Sequence, residues 1–200
     1  MQDDDLLRQT SSERMTLDQE IKGQIEWVEK DDRLTFIILD SKLINYNDVS
    51  CENAEVKAMV GDINMHFAMS YSIENVMEGE ITLMIAEKNA RRRGFAVSSV
   101  LAILNFCSLQ LSIKISRLVV KINSDNESSI KLFSKMGFKF FRTVEVFNEV
   151  ELELPISNDD GNFFLSAYNF INNLVNQDKN MDIKVTPRRE YLARFVNSKK

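Results

Sequence analysis

Apolar residues recur at helical spacing at Leu17, Ile21, Ile25 and Val28, with Thr16 ready to cap and Asp18 and Glu20 in the first turn. The spacing predicts a helix from Thr16 to about Val28, after a polar, loose stretch over residues 1–15. Strand patterns follow at Leu34–Asp40 and at Val56–Phe67, the latter bent at Gly61. A polar loop holding Asn45, Asn47, Asp48 and Asn53 separates them, and Ser70–Met77 reads as another loop. In Gly79–Ala86, Ile81, Leu83 and Ile85 alternate with Glu80, Thr82 and Met84, the period of a strand. Phe95–Ile113 is a long apolar helix. Arg117–Asn123 returns as a strand that a helical crossover allows to lie parallel to Gly79–Ala86. Asn126–Met136 is a short helix ended by Gly137 as a left-handed cap. Lys139–Val144 and Val146–Leu154 are further strands. Pro155 and Asn158-Asp159-Asp160-Gly161 then mark the end of the compact unit. Phe163, Phe164, Ala167, Tyr168, Ile171, Leu174 and Val175 can form an amphipathic helix that docks back, ahead of a polar tail. The expected division is a polar segment 1–15, a domain 16–155 and an extension 156–200.

Composition narrows the class. The chain has 200 residues, 44% of them hydrophobic and thirteen of them Phe, enough for one domain with a real core. A net charge of −5 argues against a general nucleic-acid binder. Asp3, Asp4 and Asp5 and the closing Lys199-Lys200 read as solvated ends. Cys51 and Cys107 are far apart, and Cys107 lies in an apolar helical pattern, so a disulfide framework is not indicated. With no secretory leader in the pattern, the chain reads as intracellular and cytoplasmic. Ala96–Ile113 imitates a membrane span, but Ser98, Ser99, Asn105, Ser108, Gln110 and Ser112 make it a helix buried between protein layers instead. No membrane partner is expected. His66 is the single histidine, so neither a metal site nor a Ser-His-Asp triad is supported. Trp27 reads as a packing residue.

The richest chemistry lies where a strand feeds Arg91-Arg92-Arg93-Gly94-Phe95-Ala96 and a helix begins. Backbone N–H groups at a helix start lack intrahelical partners, and the helix dipole adds about half a positive charge, so the turn is an anion cradle. Gly94 lets backbone approach a ligand, Ala96 keeps the turn uncrowded, and the arginines supply charge. Taken alone, the turn could also be a solvated surface or a basic address signal. A nucleotide site is weaker still, because the turn lacks the Lys-Ser/Thr of a P-loop and the acidic ribose partner of a dinucleotide site.

The turn resembles motif A of the GNAT acetyltransferases, whose Arg/Gln-x-x-Gly-x-Gly/Ala signature holds the pyrophosphate of acetyl-CoA. Asn126-x-x-Ser129-Ile130-x-Leu132-Phe133-x-x-Met136-Gly137-Phe138 resembles motif B. The order of elements agrees from Thr16 to Leu154. Within the family, the chain resembles the N-acetyltransferase-nine-like proteins of eukaryotes. The shared strings are Met15-Thr16-Leu17-Asp18-Gln19-Glu20, Leu34-Thr35-Phe36-Ile37, Met59-Val60-Gly61-Asp62-Ile63-Asn64, Gly79-Glu80-Ile81, Met84-Ile85-Ala86-Glu87 and Val146-Phe147-Asn148-Glu149-Val150. The resemblance implies an α/β (α+β) fold with a mixed, mostly antiparallel sheet flanked by helices. Acetyl-CoA, and no metal, would bind in a V between Gly79–Ala86 and Arg117–Asn123. Met84, Ile85 and Ala86 would bond the pantetheine and the acetyl carbonyl. Arg91, Arg92, Arg93, Gly94, Phe95 and Ala96 would hold the pyrophosphate, and Asn126, Ser129 and Phe133 would complete the cofactor site. Asn126 can equally cap its helix.

The implied reaction is direct acetyl transfer to a primary amine, taken to belong to a protein. A lysine amine, with a pKa of about 10.4, must lose a proton before it attacks; an α-amino group near 8 demands less of a base. Glu80 stands eleven residues before Arg91, where lysine-acetylating members of the family place their base. A carboxylate in a half-buried strand, its pKa raised, could serve; it could also simply pair with a Lys or Arg. Asp62 is the second candidate, as a base, as a holder of the amine or as a partner for loop backbone. Two departures stand out. Phe133 occupies the place of a Tyr that protonates the leaving thiolate in many members. Members also usually begin with a further strand and helix, whose absence would leave Leu34–Asp40 as an open sheet edge and the acceptor site with one wall short. Both departures motivate an alternative: a catalytically weak CoA-binding or scaffold protein, with a cytoskeletal partner conceivable.

Overall fold

Helical periods and alternating periods sort into six helices and six strands in the computed structural model, which describes residues 3–10, 12–30, 32–44, 51–69, 77–111, 113–156 and 163–177. In chain order these are α1 (Asp4–Gln9), α2 (Leu17–Glu29), β1 (Arg33–Leu39), α3 (Cys51–Ala58), β2 (Met59–Met69), β3 (Met77–Ile85), α4 (Phe95–Gln110), β4 (Ile115–Asn123), α5 (Glu127–Lys135), β5 (Lys139–Val144), β6 (Glu149–Pro155) and α6 (Phe163–Gln177). One sheet holds all six strands in the order β1-β2-β3-β4-β6-β5. Only β3 and β4 pair in parallel, as the crossover through α4 requires.

Cross-strand partners share a sheet face, so the register sorts the side chains. One face carries Phe36, Ile63, Met65, Ile81, Leu118, Val120, Leu152 and Leu154, and it packs under α4 and α6. Phe36 meets Phe106 of α4 edge-on at 5.1 Å, and Phe67 meets Phe164 of α6 at 6.2 Å. Helix α4 is apolar nearly all round because it lies between the sheet and α6; Leu101, Leu104 and Cys107 are fully buried. Burial pushes the Cys107 thiol up to about 12. Among the described residues no helix is long and apolar enough to cross a membrane.

Several elements differ from expectation. Residues 4–9 form α1, with the Asp3 carboxylate accepting the Leu6 N–H and with Leu6 and Leu7 buried, so this stretch is not loose. Asp3 and Asp4 are not merely solvated either, since they pair with Lys88 and Arg14. Val56, Lys57 and Ala58 end a helix instead of opening a strand: the segment from Glu52 is rich in helix formers, and buried Ala58 accepts the Asp40 N–H at 2.8 Å. Val146 and Phe147 lie in a 3₁₀ turn, because Asn148 takes a left-handed conformation (φ 50°) that interrupts the strand. Helix α4 stops at Gln110, where Leu111 becomes extended.

Helix α2 has its expected cap, Thr16 and Gln19 bonding each other's backbone N–H groups, but its apolar stripe is not covered: Leu17 is 70% and Ile25 55% exposed. Gly137 has φ 92° and ends α5 as expected; a Cβ there would meet Phe170 of α6 at 2.6 Å. Strand β1 is a sheet edge, paired only with β2 among the described residues. The Asn45–Asp48 part of the first loop, the 70–76 loop, Asn158–Gly161, the tail beyond 177, and the side chains of Cys51 and Trp27 lie outside the described structure.

Candidate active site

Strands β3 and β4 pair only from Met77↔Ile115 to Glu80↔Val119. Beyond that point β4 continues its pairing with β6 to Asn123, and β3 continues with β2 to Ile85. The two central strands therefore part, and their unpaired backbone lines an opening that starts beside Glu80. On the β2 side the pairing is tight. A Cβ on Gly61 would lie 2.0 Å from the Met84 carbonyl oxygen, so only glycine lets β2 support β3 at this point.

The chain leaves β3 through a 3₁₀ turn at Lys88–Ala90 and reaches α4 by two left-handed residues, Arg92 (φ 60°) and Gly94 (φ 85°). Gly94 occupies the cap position and offers no side-chain acceptor, and the first turn of α4 carries no acidic residue. In α2 the same position has both. The donors at the start of α4 thus meet no acceptor from their own cap side chain or first turn, the arrangement of an anion site. The three arginines act differently. Arg91 folds back and donates to the carbonyls of Ile85 (3.0 Å) and Ala86 (3.4 Å), bracing the free end of β3. Arg93 pairs with the buried Asp40 at 2.8 Å and lies over the Phe95 ring at 5.1 Å. Arg92 is exposed and directs no ion pair to a described residue. Phe95 and Ala96 are half-buried in the first turn of α4.

Asn126 caps α5: its side chain accepts from the Ser129 N–H at 3.2 Å and from the Ser128 hydroxyl at 2.9 Å. Phe133 is buried and packs edge-on against Phe138 at 5.2 Å, and its ring offers no hydroxyl at this position.

The face of the sheet opposite α4 is polar. Register places Arg33, His66 and Glu80 in one row and Lys121, Glu151 and Arg142 in another. Glu80 pairs with Lys121 at 2.6 Å, and Arg142 forks onto buried Glu151 at 2.7 and 3.1 Å. Burial opposes the charge on Lys121, yet the hydrogen bond and charge of Glu80 hold it above its ordinary pKa. Asp62 stands directly opposite Met84. Burial pushes its carboxyl above the usual range, against the Asn64 amide that donates to it at 2.9 Å. Asp62 and Glu80 lie four register steps apart, about 13 Å along the strands, so they do not form one carboxylate pair. An open groove of about 430 Å³ is lined by Lys121, the ion-pair partner of Glu80, and by Arg142, Thr143, Val144, Phe147, Glu149 and Glu151.

Asp40, Lys121 and the steric role of Gly61 escaped the reading of the sequence. Lys121 was visible as a charge interrupting the apolar run Leu118–Ile122 of the strand; Asp40 was visible only as a strand-ending acid.

A parted parallel strand pair, with an uncapped helix start at its mouth, defines a class. The family model for the acetyltransferase (GNAT) domain matches residues 2–139, and the chain belongs to that family of acetyl-CoA-dependent acyltransferases. It is 38% identical over 159 residues to alpha/beta-tubulin-N-acetyltransferase 9 of Drosophila melanogaster, covering 80% of this chain and 76% of that one. The protein of the same name from Homo sapiens is 35% identical over 165 residues, 82% of this chain and 76% of its own. An N-acetyltransferase 9-like protein of Dictyostelium discoideum is 35% identical over 178 residues, covering 86% and 80%. Among solved structures, an uncharacterized protein from Bacillus halodurans aligns with a TM-score of 0.61 at 14% identity, over 87% of this chain and 82% of that one. The NatC complex bound to Gag peptide and CoA aligns with a TM-score of 0.51 at 18% identity, over 73% and 83%. Both show the same fold.

Proposed function

We propose that the protein transfers acetyl from acetyl-CoA to a primary amine of a protein, by direct attack within a ternary complex. The observation that carries this reading is the parting of β3 from β4 after Glu80↔Val119, with the uncapped start of α4 at the end of the opening. The residues suit the cosubstrate: the donors of Gly94–Ala96 and the Arg92 side chain would take the pyrophosphate, and the Met84–Ala86 backbone, which β4 no longer pairs, would take the pantetheine arm and the acetyl carbonyl. Acetyl-CoA supplies the activated acyl group. The protein supplies orientation, N–H donors toward the oxyanion and a proton acceptor.

Asp62 is the better base of the two carboxylates. It lies beside Met84, and burial raises its pKa above the ordinary carboxylate value, which makes it a stronger base. Glu80 is already engaged by Lys121 and sits about 13 Å farther along the strand, so it acts on the incoming amine through water or through its field. Phe133 carries no hydroxyl, so the thiolate would take its proton from water or from another donor. A modest base suits an α-amino group better than a lysine. The Drosophila and human relatives are both named for tubulin, which makes the N-terminal amines of α- and β-tubulin the first acceptors to test.

The test is isothermal titration with acetyl-CoA, with Gly94→Glu as control, followed by acetylation of peptides with a free N-terminus and of the same peptides blocked there but carrying lysine. Micromolar binding lost in Gly94→Glu, with acetylation of the free N-terminus, is expected. A folded wild-type chain that binds no acetyl-CoA would refute the reading.

A further inference from the structure

Three arginines precede α4, and among the described residues only Arg93 is tied to a buried acid. Asp40 follows directly on β1 with a side chain 4% exposed. It is fixed four ways: its N–H donates to the Ala58 carbonyl at 2.8 Å, its carbonyl accepts the Leu43 N–H at 2.9 Å, its carboxylate accepts the Lys42 N–H at 3.0 Å, and it pairs with Arg93 at 2.8 Å. The Arg93 guanidinium is held from another direction by the Phe95 ring. Arg93 lies between the two left-handed residues of the turn, Arg92 at φ 60° and Gly94 at φ 85°. Left-handed backbone is costly for a residue with a Cβ and persists where its surroundings over-determine it.

We propose that Asp40 is a positioning residue for the cosubstrate: through Arg93 it locks the Arg92–Gly94 turn to the end of β1, in the shape that receives a pyrophosphate. The proposal rests on the reading of this turn as the pyrophosphate site. An acid at a phosphate site would ordinarily repel the ligand. Here its charge is matched by Arg93, and what remains is a rigid tether from the sheet to the anion cradle. Ordering the turn before binding removes an entropic cost that the ligand would otherwise bear. Asp40 touches neither the acetyl group nor the amine, so its effect is confined to the nucleotide end of the cosubstrate.

The full chain and its Asp40→Asn, Arg93→Met and double variants test this. Titration measures acetyl-CoA binding, and turnover is compared between acetyl-CoA and S-acetylpantetheine, which lacks the pyrophosphate. Asp40→Asn is expected to raise the Kd for acetyl-CoA about tenfold and to leave turnover with S-acetylpantetheine at the wild-type value. In the Arg93→Met background, Asp40→Asn is expected to add no further loss. Tighter binding by Asp40→Asn would show that the acid only offsets Arg93, overturning the proposal. Equal losses with both acetyl donors, or additive losses in the double variant, would overturn it as well. Arg93 is 40% exposed, so Arg93→Met probes the tether without opening the core; an unchanged Kd in that variant also overturns the proposal. A wild-type chain that binds no acetyl-CoA refutes instead the parent reading, and this inference with it.

Discussion

Glu80 and Lys121 close a 2.6 Å ion pair across the last point at which β3 and β4 remain paired. The pair stands at the threshold of the opening, and both side chains are partly exposed, so it contributes little to stability: about 0.2–1 kcal/mol for pairs of this kind. Glu80→Gln should therefore leave the melting temperature and acetyl-CoA affinity nearly unchanged. It should lower turnover by about tenfold, a loss below the 10²–10⁴ typical of a general base in direct contact. Steady-state kinetics beside titration reads this directly. Unchanged turnover would remove Glu80 from the mechanism.

Asp62 combines a functional and a stability prediction. Its folded pKa is raised by burial, so its contribution to stability is full below the ordinary carboxylate pKa and is lost as pH rises through the raised value. At neutral pH the native state holds a charge it disfavours. Asp62→Asn should accordingly melt higher than wild type at pH 7 while turnover falls roughly 10²–10⁴-fold. The acid limb of the pH–rate profile should disappear with it. A melting temperature lowered at pH 7 would contradict the assignment.

Gly61 is the steric counterpart of the opening. A Cβ would lie 2.0 Å from the Met84 carbonyl oxygen, so Gly61→Ala must push β3 away from β2 at the segment proposed to hold the pantetheine arm. Overpacking of this kind costs about 1–3 kcal/mol. Chemical denaturation should show that loss, and titration should show weaker acetyl-CoA binding, while Gly23→Ala, with nothing within 4 Å of its Cβ, should show neither.

His66 gives stability a pH dependence of the opposite sense. Burial, then the charge of Arg33, depresses its pKa despite Glu80. A depressed folded value means that the stability it contributes is present above the ordinary histidine pKa of about 6.5 and is lost as pH falls through the lower one. Stability should decline on acidification below about pH 6.5 with a slope of at most about 1.4 kcal/mol per pH unit for the single proton. Denaturant midpoints from pH 7 to pH 5 should lose that component in His66→Gln.

Much of the fold was legible because local rules and global packing agree. The Thr16 cap, the alternation of Gly79–Ala86, the largely apolar α4, the left-handed Gly137 and the docking of α6 were each written in residue type and spacing. The misreadings have local causes. Val56-Lys57-Ala58 is apolar enough for a strand but follows a helical run, and the two leucines of α1 are too few to stand out from polar neighbours. The stripe of Leu17, Ile21 and Ile25 predicted the helix correctly, yet periodicity carries no information about whether a partner surface lies opposite.

The order of elements, the turn at Arg91–Ala96 and the identity of the carboxylates could be read along the chain, because helix starts, strand periods and left-handed glycines are properties of a few adjacent residues. What those groups face emerged from the folded packing alone. Sheet register, set by residues far apart in the chain, put Asp62 beside Met84 and Lys121 against Glu80, and packing sent Arg91 to the end of β3 and Arg93 to Asp40. A charge in the sequence names a chemistry; its protonation state and its partner follow from burial and from neighbours that no local pattern can reveal.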